Sequence, residues 1–398
     1  MNRANHLSAT AATGQKPAWG AVFSMTLGVF GLVTAEFLPA SLLTPMATSL
    51  GVGEALTGQA VTITAAVALL SSIVSVSVTR NIDRRWVLLA FSVMLIASNL
   101  LVAFATQLSF IFIGRVLLGV AIGGFWTLSA ATAMRLVPAA LIPRALSIIF
   151  SGVSVATIAA APLGSYFGEL IGWRNVFIAA AAIGVLALIW QIASLPKMAP
   201  LASGTAGNIF TVLKRPGIQT AMFAVILVFS GHFAFFTYLR PFLENVAGIG
   251  VNGLSAILLG FGVANFAGTL LAGVLLERNL HLTLMMTPLV MGVMALALVL
   301  LGFAPFVDAL LIALWGMAFG AVPVGWSTWL TRTMPDDAES GGGLMVAAVQ
   351  LAITVGAAAG GAIFNLGGAK GVFIASALAL LIAAVTIFVA LRPRPVMA

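Results

Sequence analysis

Residues 19–46 read WGAVFSMTLGVFGLVTAEFLPASLLTPM, and Glu36 is the only charged residue among them. Runs of this kind recur along the whole chain, and few folds can accommodate them. An α-helix needs roughly 20 apolar residues to cross a bilayer. Twelve such stretches are legible, at about residues 19–46, 57–79, 86–106, 109–134, 143–168, 173–195, 218–240, 252–275, 281–302, 307–331, 341–364 and 370–391. Only 7% of the 398 residues are charged, where a soluble domain carries about 25%. With 61% apolar residues, no soluble core hides enough of the chain from water. The expected class is an all-α membrane protein with twelve transmembrane helices.

Other classes are closed off by what is missing. There are no cysteines, which excludes a disulfide framework and cysteine-ligated zinc. His6, His232 and His281 are scattered without ligand spacing, so no metal and no cofactor are expected. No GxSxG and no phosphate loop is found, so an enzyme is not expected. A net charge of +8 does not call for nucleic acid, because the basic residues lie in short loops between apolar runs. The N-terminal MNRANHLSATAATGQKPAW is polar and has no cleavable signal pattern, so insertion is expected to rely on the first span.

Lysine and arginine orient the bundle. With a cytoplasmic N-terminus, fourteen of the 18 fall in inner loops and tails, three (Arg174, Arg240 and Lys370) lie outside, and Arg115 lies within a span. Both termini are therefore expected in the cytoplasm.

The two halves of the chain echo each other. Arg135 and Pro138 of MRLVP recur 197 residues on as Arg332 and Pro335 of RTMP. Gly119, Gly123, Gly164 and Phe167 recur at the same offset as Gly316, Gly320, Gly361 and Phe364. Such agreement reads as a duplication. The expected organisation is a six-helix half at 1–195, a central cytoplasmic linker at 196–217 and a second six-helix half at 218–398. Two six-helix halves related by a parallel repeat describe the major facilitator architecture, with substrate held near the bilayer midplane.

The stretches EFLPASLLTPMA, GRVLLGVAIGGFWTLSA, MRLVP, AAPLGSYFGELIGWRNVF, HFAFFTYLRP and VPVGWSTWLTR fall in both halves. Through them the chain resembles the twelve-helix drug:proton antiporters of the major facilitator superfamily, and among these the branch that exports purine ribonucleosides. The resemblance implies a proton-coupled exporter working by alternating access in the bacterial inner membrane. It implies purine ribonucleosides such as inosine and guanosine as substrate, with protons and the lipid bilayer as the other partners, and a monomer. Sugar or multidrug efflux by the same mechanism is the alternative. A passive pore, with flux indifferent to uncouplers, is a reading from another class.

Three motifs add detail. TRNIDRRWVLL, after the second span, is similar to the superfamily's gating loop, with Asp83, Arg84 and Arg85 as its charges and Thr79 near the place of the usual leading glycine. A positive-inside anchor is the plainer role. In the fourth span, Arg115 should face the interior and have a partner, since a charge there costs about 2.5–3.5 kcal/mol on insertion scales. The family's motif links that arginine to proton exchange; bonding to backbone carbonyls is the structural alternative. In the fifth span, Gly152, Ala156, Ala160, Gly164 and Gly168 form a stripe with period four, which favours close helix packing. With Ala161 and Pro162 this stretch is similar to the antiporter motif, Ala161 standing where the family usually has glycine.

Candidate substrate contacts come from GHFAFFTYLRP in the seventh span, where His232, Phe233, Phe236 and Tyr238 offer rings. Base stacking on aromatic rings is worth about 1–3 kcal/mol in single-strand binders. Trp126 and Trp326 offer further rings, and Ser129, Asn265 and Gln350 offer hydrogen bonds. Packing, or interhelical hydrogen bonding in the case of Asn265 and Gln350, is the alternative role for these residues. Glu36 remains. An acid within a span marks a functional site by default, and a buried carboxyl can take up and release a proton as its surroundings change. With Arg115 it forms the expected proton-coupling pair; a well-paired structural acid is the alternative.

Overall fold

A computed structural model of the chain describes residues 16–52, 54–200, 209–245, 247–248, 251–301 and 304–391. His6, the linker-like LASGTAGN and the side chains of Ala161, Pro162 and Arg240 lie outside what is described. Among the described residues every regular element is helical. In chain order they are α1 (Trp19–Ser41), α2 (Leu43–Leu50), α3 (Glu54–Thr79), α4 (Arg84–Ala103), α5 (Leu108–Leu136), a 3-10 turn (Ala139–Leu141), α6 (Ile142–Ile171) and α7 (Trp173–Ser194). They continue with α8 (Ile209–Leu213), α9 (Ile218–Asn245), α10 (Val251–Arg278), α11 (Leu280–Leu301), α12 (Pro305–Thr333) and α13 (Ala338–Ala390).

Eleven of these helices are long and apolar enough to cross a membrane. The longest, α13, has 53 residues and is interrupted at Gly368, whose φ of 62° and ψ of −165° are not helical. A side chain rarely adopts that conformation, and glycine adopts it freely. The eleventh and twelfth expected spans are thus the two arms of α13. The first expected span also divides. Its helix ends at Ser41, Leu42 leaves the helical region, and the short α2 follows.

The residues fall into two compact units. One holds α1 to α7 together with Leu330–Gly343; the other holds Gly207–Trp329 and the chain from Leu344 onward. The last residues of α12, from Leu330, and the first of α13, to Gly343, thus belong to the first unit.

The same packing rule operates inside each unit. In the first, Gly119 of α5 sits over the backbone of Thr64 in α3, and a methyl added to it would meet the Thr64 carbonyl oxygen at 2.7 Å. In the second, Gly316 of α12 sits over Phe261 of α10, with the corresponding distance 2.6 Å. Both members of the second pair lie 197 residues beyond the first. Gly152 of α6 similarly stands over the carbonyl of Thr26 in α1, and Gly356 of α13 over that of Ser230 in α9, each at 2.5 Å. Here the displacement is 204 residues, not the 197 that relates Gly164 to Gly361 in sequence. The backbone register of the α1–α6 and α9–α13 pairs follows the side-chain hydrogen bonds. Thr26 Oγ1 donates to Ile148 O and Ser230 Oγ to Ala352 O, both at 3.1 Å.

Candidate functional site

The stretch TAEFLP builds its own polar feature. Pro39 lies inside α1. Helical N–H groups donate to the carbonyl four residues back, and proline has no N–H, so the carbonyl of Ala35 has no donor at Pro39. Arg115 supplies one: its Nη1 donates to Ala35 O at 2.7 Å. Arg115 is 1% exposed, and its guanidinium lies 5.7 Å from the ring centre of Phe177. Its Nε and Nη2 are buried without hydrogen-bond partners among the described residues.

Glu36, the next residue after Ala35, is half-buried. The two charges lie near enough to interact but form no ion pair within 4 Å, the single ion pair among the described residues being elsewhere. The structure thus brings Glu36 and Arg115 into one polar spot and gives the arginine a backbone partner there.

The small-residue stripe of α6 packs along the helix that carries Glu36. Gly152 faces Thr26 and Phe30, and Gly164 faces Ser41 and Leu38. Ala156 and Ala160 between them are buried.

The charges of the loop after α3 separate into three tasks. Asp83 caps α4, accepting from the backbone N–H of Arg85 at 2.8 Å, and also accepts from the N–H of Met198. Arg85 donates to Ile192 O at 2.8 Å. Arg84 is buried and forms a two-pronged ion pair with Glu339, in the first turn of α13. Nothing local in the sequence marks Glu339 as the partner of Arg84, 255 residues away.

In the second unit, an aromatic cluster forms around His232. Phe319 lies flat on the imidazole, with centroids 3.3 Å apart and planes at 2°. Phe236 and Phe261 lie near-parallel to it at 5.8 and 6.4 Å, and Phe233 meets it edge-on at 5.1 Å. Trp315 Nε1 donates to His232 Nδ1 at 3.0 Å. Of the rings expected from sequence, the structure joins His232, Phe233 and Phe236, and Phe236 is 37% exposed. Phe261, Trp315 and Phe319 were missed. The signal for the last two was present: they sit four residues apart, which puts them on one face of α12.

The other candidates make contacts of their own. Tyr238 stacks on Phe364 at 5.0 Å. Asn265 Nδ2 donates to Gly316 O at 3.2 Å, the helix-bridging role. Trp326 is buried edge-on to Trp329 at 5.8 Å, and Gln350 is half-buried. Trp126 stacks on Phe150 at 5.0 Å and Ser129 donates back to Trp126 O, both within the first unit. Among the described residues no group of three His, Asp or Glu is placed to hold a metal ion.

Residues 25–342 match the model of the Major Facilitator Superfamily. The chain is 49% identical to the "Purine ribonucleoside efflux pump NepI" of Salmonella enteritidis PT4, over 88% of this chain and 89% of that one. It is also 49% identical to the pump of the same name from Escherichia coli O6:K15:H31, over 92% and 93%. Its fold is similar to that of the proton:xylose symporter XylE, with a TM-score of 0.77, 15% identity and coverage of 93% and 95%. The human organic anion transporter MFSD10 gives a TM-score of 0.70 at 16% identity, over 94% and 100%. The chain, a multi-pass membrane protein, belongs to the major facilitator superfamily.

Proposed function

We propose that the chain exports purine ribonucleosides from the bacterial cytoplasm in exchange for protons. The observation that carries the substrate is the 49% identity, over nearly the whole chain, to pumps named for purine ribonucleosides. The aromatic surroundings of His232 suit a flat, neutral, hydroxylated ligand, since binding sites of this kind are mostly apolar with a few placed polar groups. Glu36 is the proposed proton carrier, and Arg115, beside it, tunes its charge. The six-helix halves 1–195 and 218–398, joined by 196–217, move against each other in alternating access, as parallel-repeat transporters do. The Arg84–Glu339 ion pair closes the cytoplasmic side and opens during the cycle. The working form is a monomer in the inner membrane, with both termini in the cytoplasm, as the fourteen-to-three division of basic residues favours.

Two measurements test this. A specific ligand raises apparent stability by mass action, so inosine and guanosine should raise the melting temperature of the purified protein where xylose or glucose does not. In inside-out vesicles, a proton gradient should drive inosine accumulation that an uncoupler abolishes. Stabilisation by sugars alone would favour sugar efflux, and flux unaffected by the uncoupler would favour a pore.

A further inference from the structure

His232 is the polar ring inside the aromatic cluster of the second unit, and its hydrogen bond has a direction. An indole N–H can only donate. Trp315 Nε1 donates to Nδ1 of His232 at 3.0 Å, so Nδ1 is the bare, accepting nitrogen and the ring's proton sits on Nε2. An imidazolium carries protons on both nitrogens and accepts nothing, so a ring that accepts this bond is the neutral form. The ring cannot easily turn over. Phe319 lies flat on it at 3.3 Å and Phe236 near-parallel at 5.8 Å. Trp315 is itself fully buried and stacked on Phe235 at 3.7 Å. Among the described residues, Nε2 has no hydrogen-bond partner, in a ring that is 3% exposed overall.

We infer that Trp315 holds His232 as an Nε2–H donor, and that this donor makes the site prefer purines with an oxo group at position 6 over purines with an amino group there. The inference rests on the reading of the chain as a purine nucleoside exporter and adds the residue that sets its selectivity. The outer edge of a 6-oxopurine presents two acceptors, N7 and O6; that of adenine presents N7 beside an N–H₂ donor. Against the amino group, donor faces donor. A site built around a hydrogen bond rejects the analogue that cannot complete it. Trp315 is a positioning residue, acting on the base through His232.

The test compares inosine and adenosine binding to the purified full-length protein. The wild type should bind inosine about tenfold more tightly, the scale of one well-placed hydrogen bond. Trp315→Phe keeps a ring against Phe235 but lacks the N–H. Its preference should fall toward one, through weaker inosine binding with adenosine binding retained. His232→Gln presents either a donor or an acceptor and should lower the preference as well. Nitrogen-15 spectra of histidine-labelled protein read the tautomer directly, with His232 assigned by the signals lost in His232→Gln. They should show the proton on Nε2 in the wild type and a mixture in Trp315→Phe. An unchanged preference in folded Trp315→Phe, or a proton on Nδ1 in the wild type, overturns the inference and leaves the exporter reading standing. The wild-type tautomer and the His232→Gln preference decide the matter even where Trp315→Phe does not fold. Binding of neither nucleoside to the wild type removes the exporter reading and this inference together.

Discussion

Arg115 donates to the carbonyl of Ala35, the oxygen that Pro39 leaves without a helical donor. The arginine is in α5 and the proline in α1, so a backbone defect in one helix is met by a side chain from another. Arg115→Ala should cost about 1–3 kcal/mol, the penalty for an unpaired buried polar group. In a Pro39→Ala background the restored N–H offers that carbonyl a partner, and the same change should cost less. A double-mutant cycle on thermal or denaturant stability measures the coupling; additivity would separate the two residues.

Glu36→Gln should fold and bind nucleoside, yet fail to export it uphill. Glutamine keeps the size and much of the hydrogen bonding but releases no proton. Each charge moved draws about 2.3 kcal/mol per 100 mV, and only a titrating or charged carrier can use it. Exchange of nucleoside for nucleoside should survive. Uncoupler-sensitive uphill accumulation by this variant in vesicles would remove Glu36 as the carrier.

Arg84 and Glu339 are both largely buried, at 4% and 11% side-chain exposure. Arg84 therefore has no water to fall back on, unlike a solvated loop arginine. Breaking a buried pair from one side costs about 3–5 kcal/mol, whereas replacing both partners by apolar residues is often neutral. Arg84→Met and Glu339→Leu should each lower the melting temperature, and the double variant should recover most of the loss. Its transport rate then tests the proposed gating role separately from stability.

Asp308 is fully buried in the first turn of α12, and neither carboxyl oxygen has a hydrogen-bond partner among the described residues. The position 197 residues earlier is Ile111, also fully buried. Asp308→Leu should therefore stabilise the protein by about 1–3 kcal/mol. A stabilised variant that no longer transports would mark Asp308 as a functional acid.

Gly119→Ala and Gly316→Ala should both destabilise by about 1–3 kcal/mol, the usual cost of overpacking, since each new methyl meets a backbone carbonyl of the facing helix at 2.7 or 2.6 Å. Melting temperatures of the two variants should fall by similar amounts. A tolerated change in one half alone would show that the duplicated contact is no longer equivalent.

The length of the apolar runs was enough to determine the membrane class and most of the spans, because a bilayer leaves a chain little choice but helices of a given length. The glycines of α5 and α12 were visible at their 197-residue offset for the same reason: a close helix approach demands a small residue at a definite place. The lone charges Glu36 and Arg115 stood out because lipid makes each of them costly.

What needed the tertiary structure was pairing. Nothing local in Arg84 names Glu339, and nothing in Arg115 names Ala35 as its partner; those matches depend on which helix faces bury against each other. The same holds for His232. Its sequence neighbours Phe233 and Phe236 were legible, but the ring that covers it and the indole that orients it come from α12, brought alongside by packing. Burial too was decided in three dimensions: Asp308 and Glu339 sit near helix ends where water is usual, and neighbouring elements close over them. Periodicity records which solvent a face meets, whereas a hydrogen bond or ion pair between distant residues exists only once the helices have been set side by side.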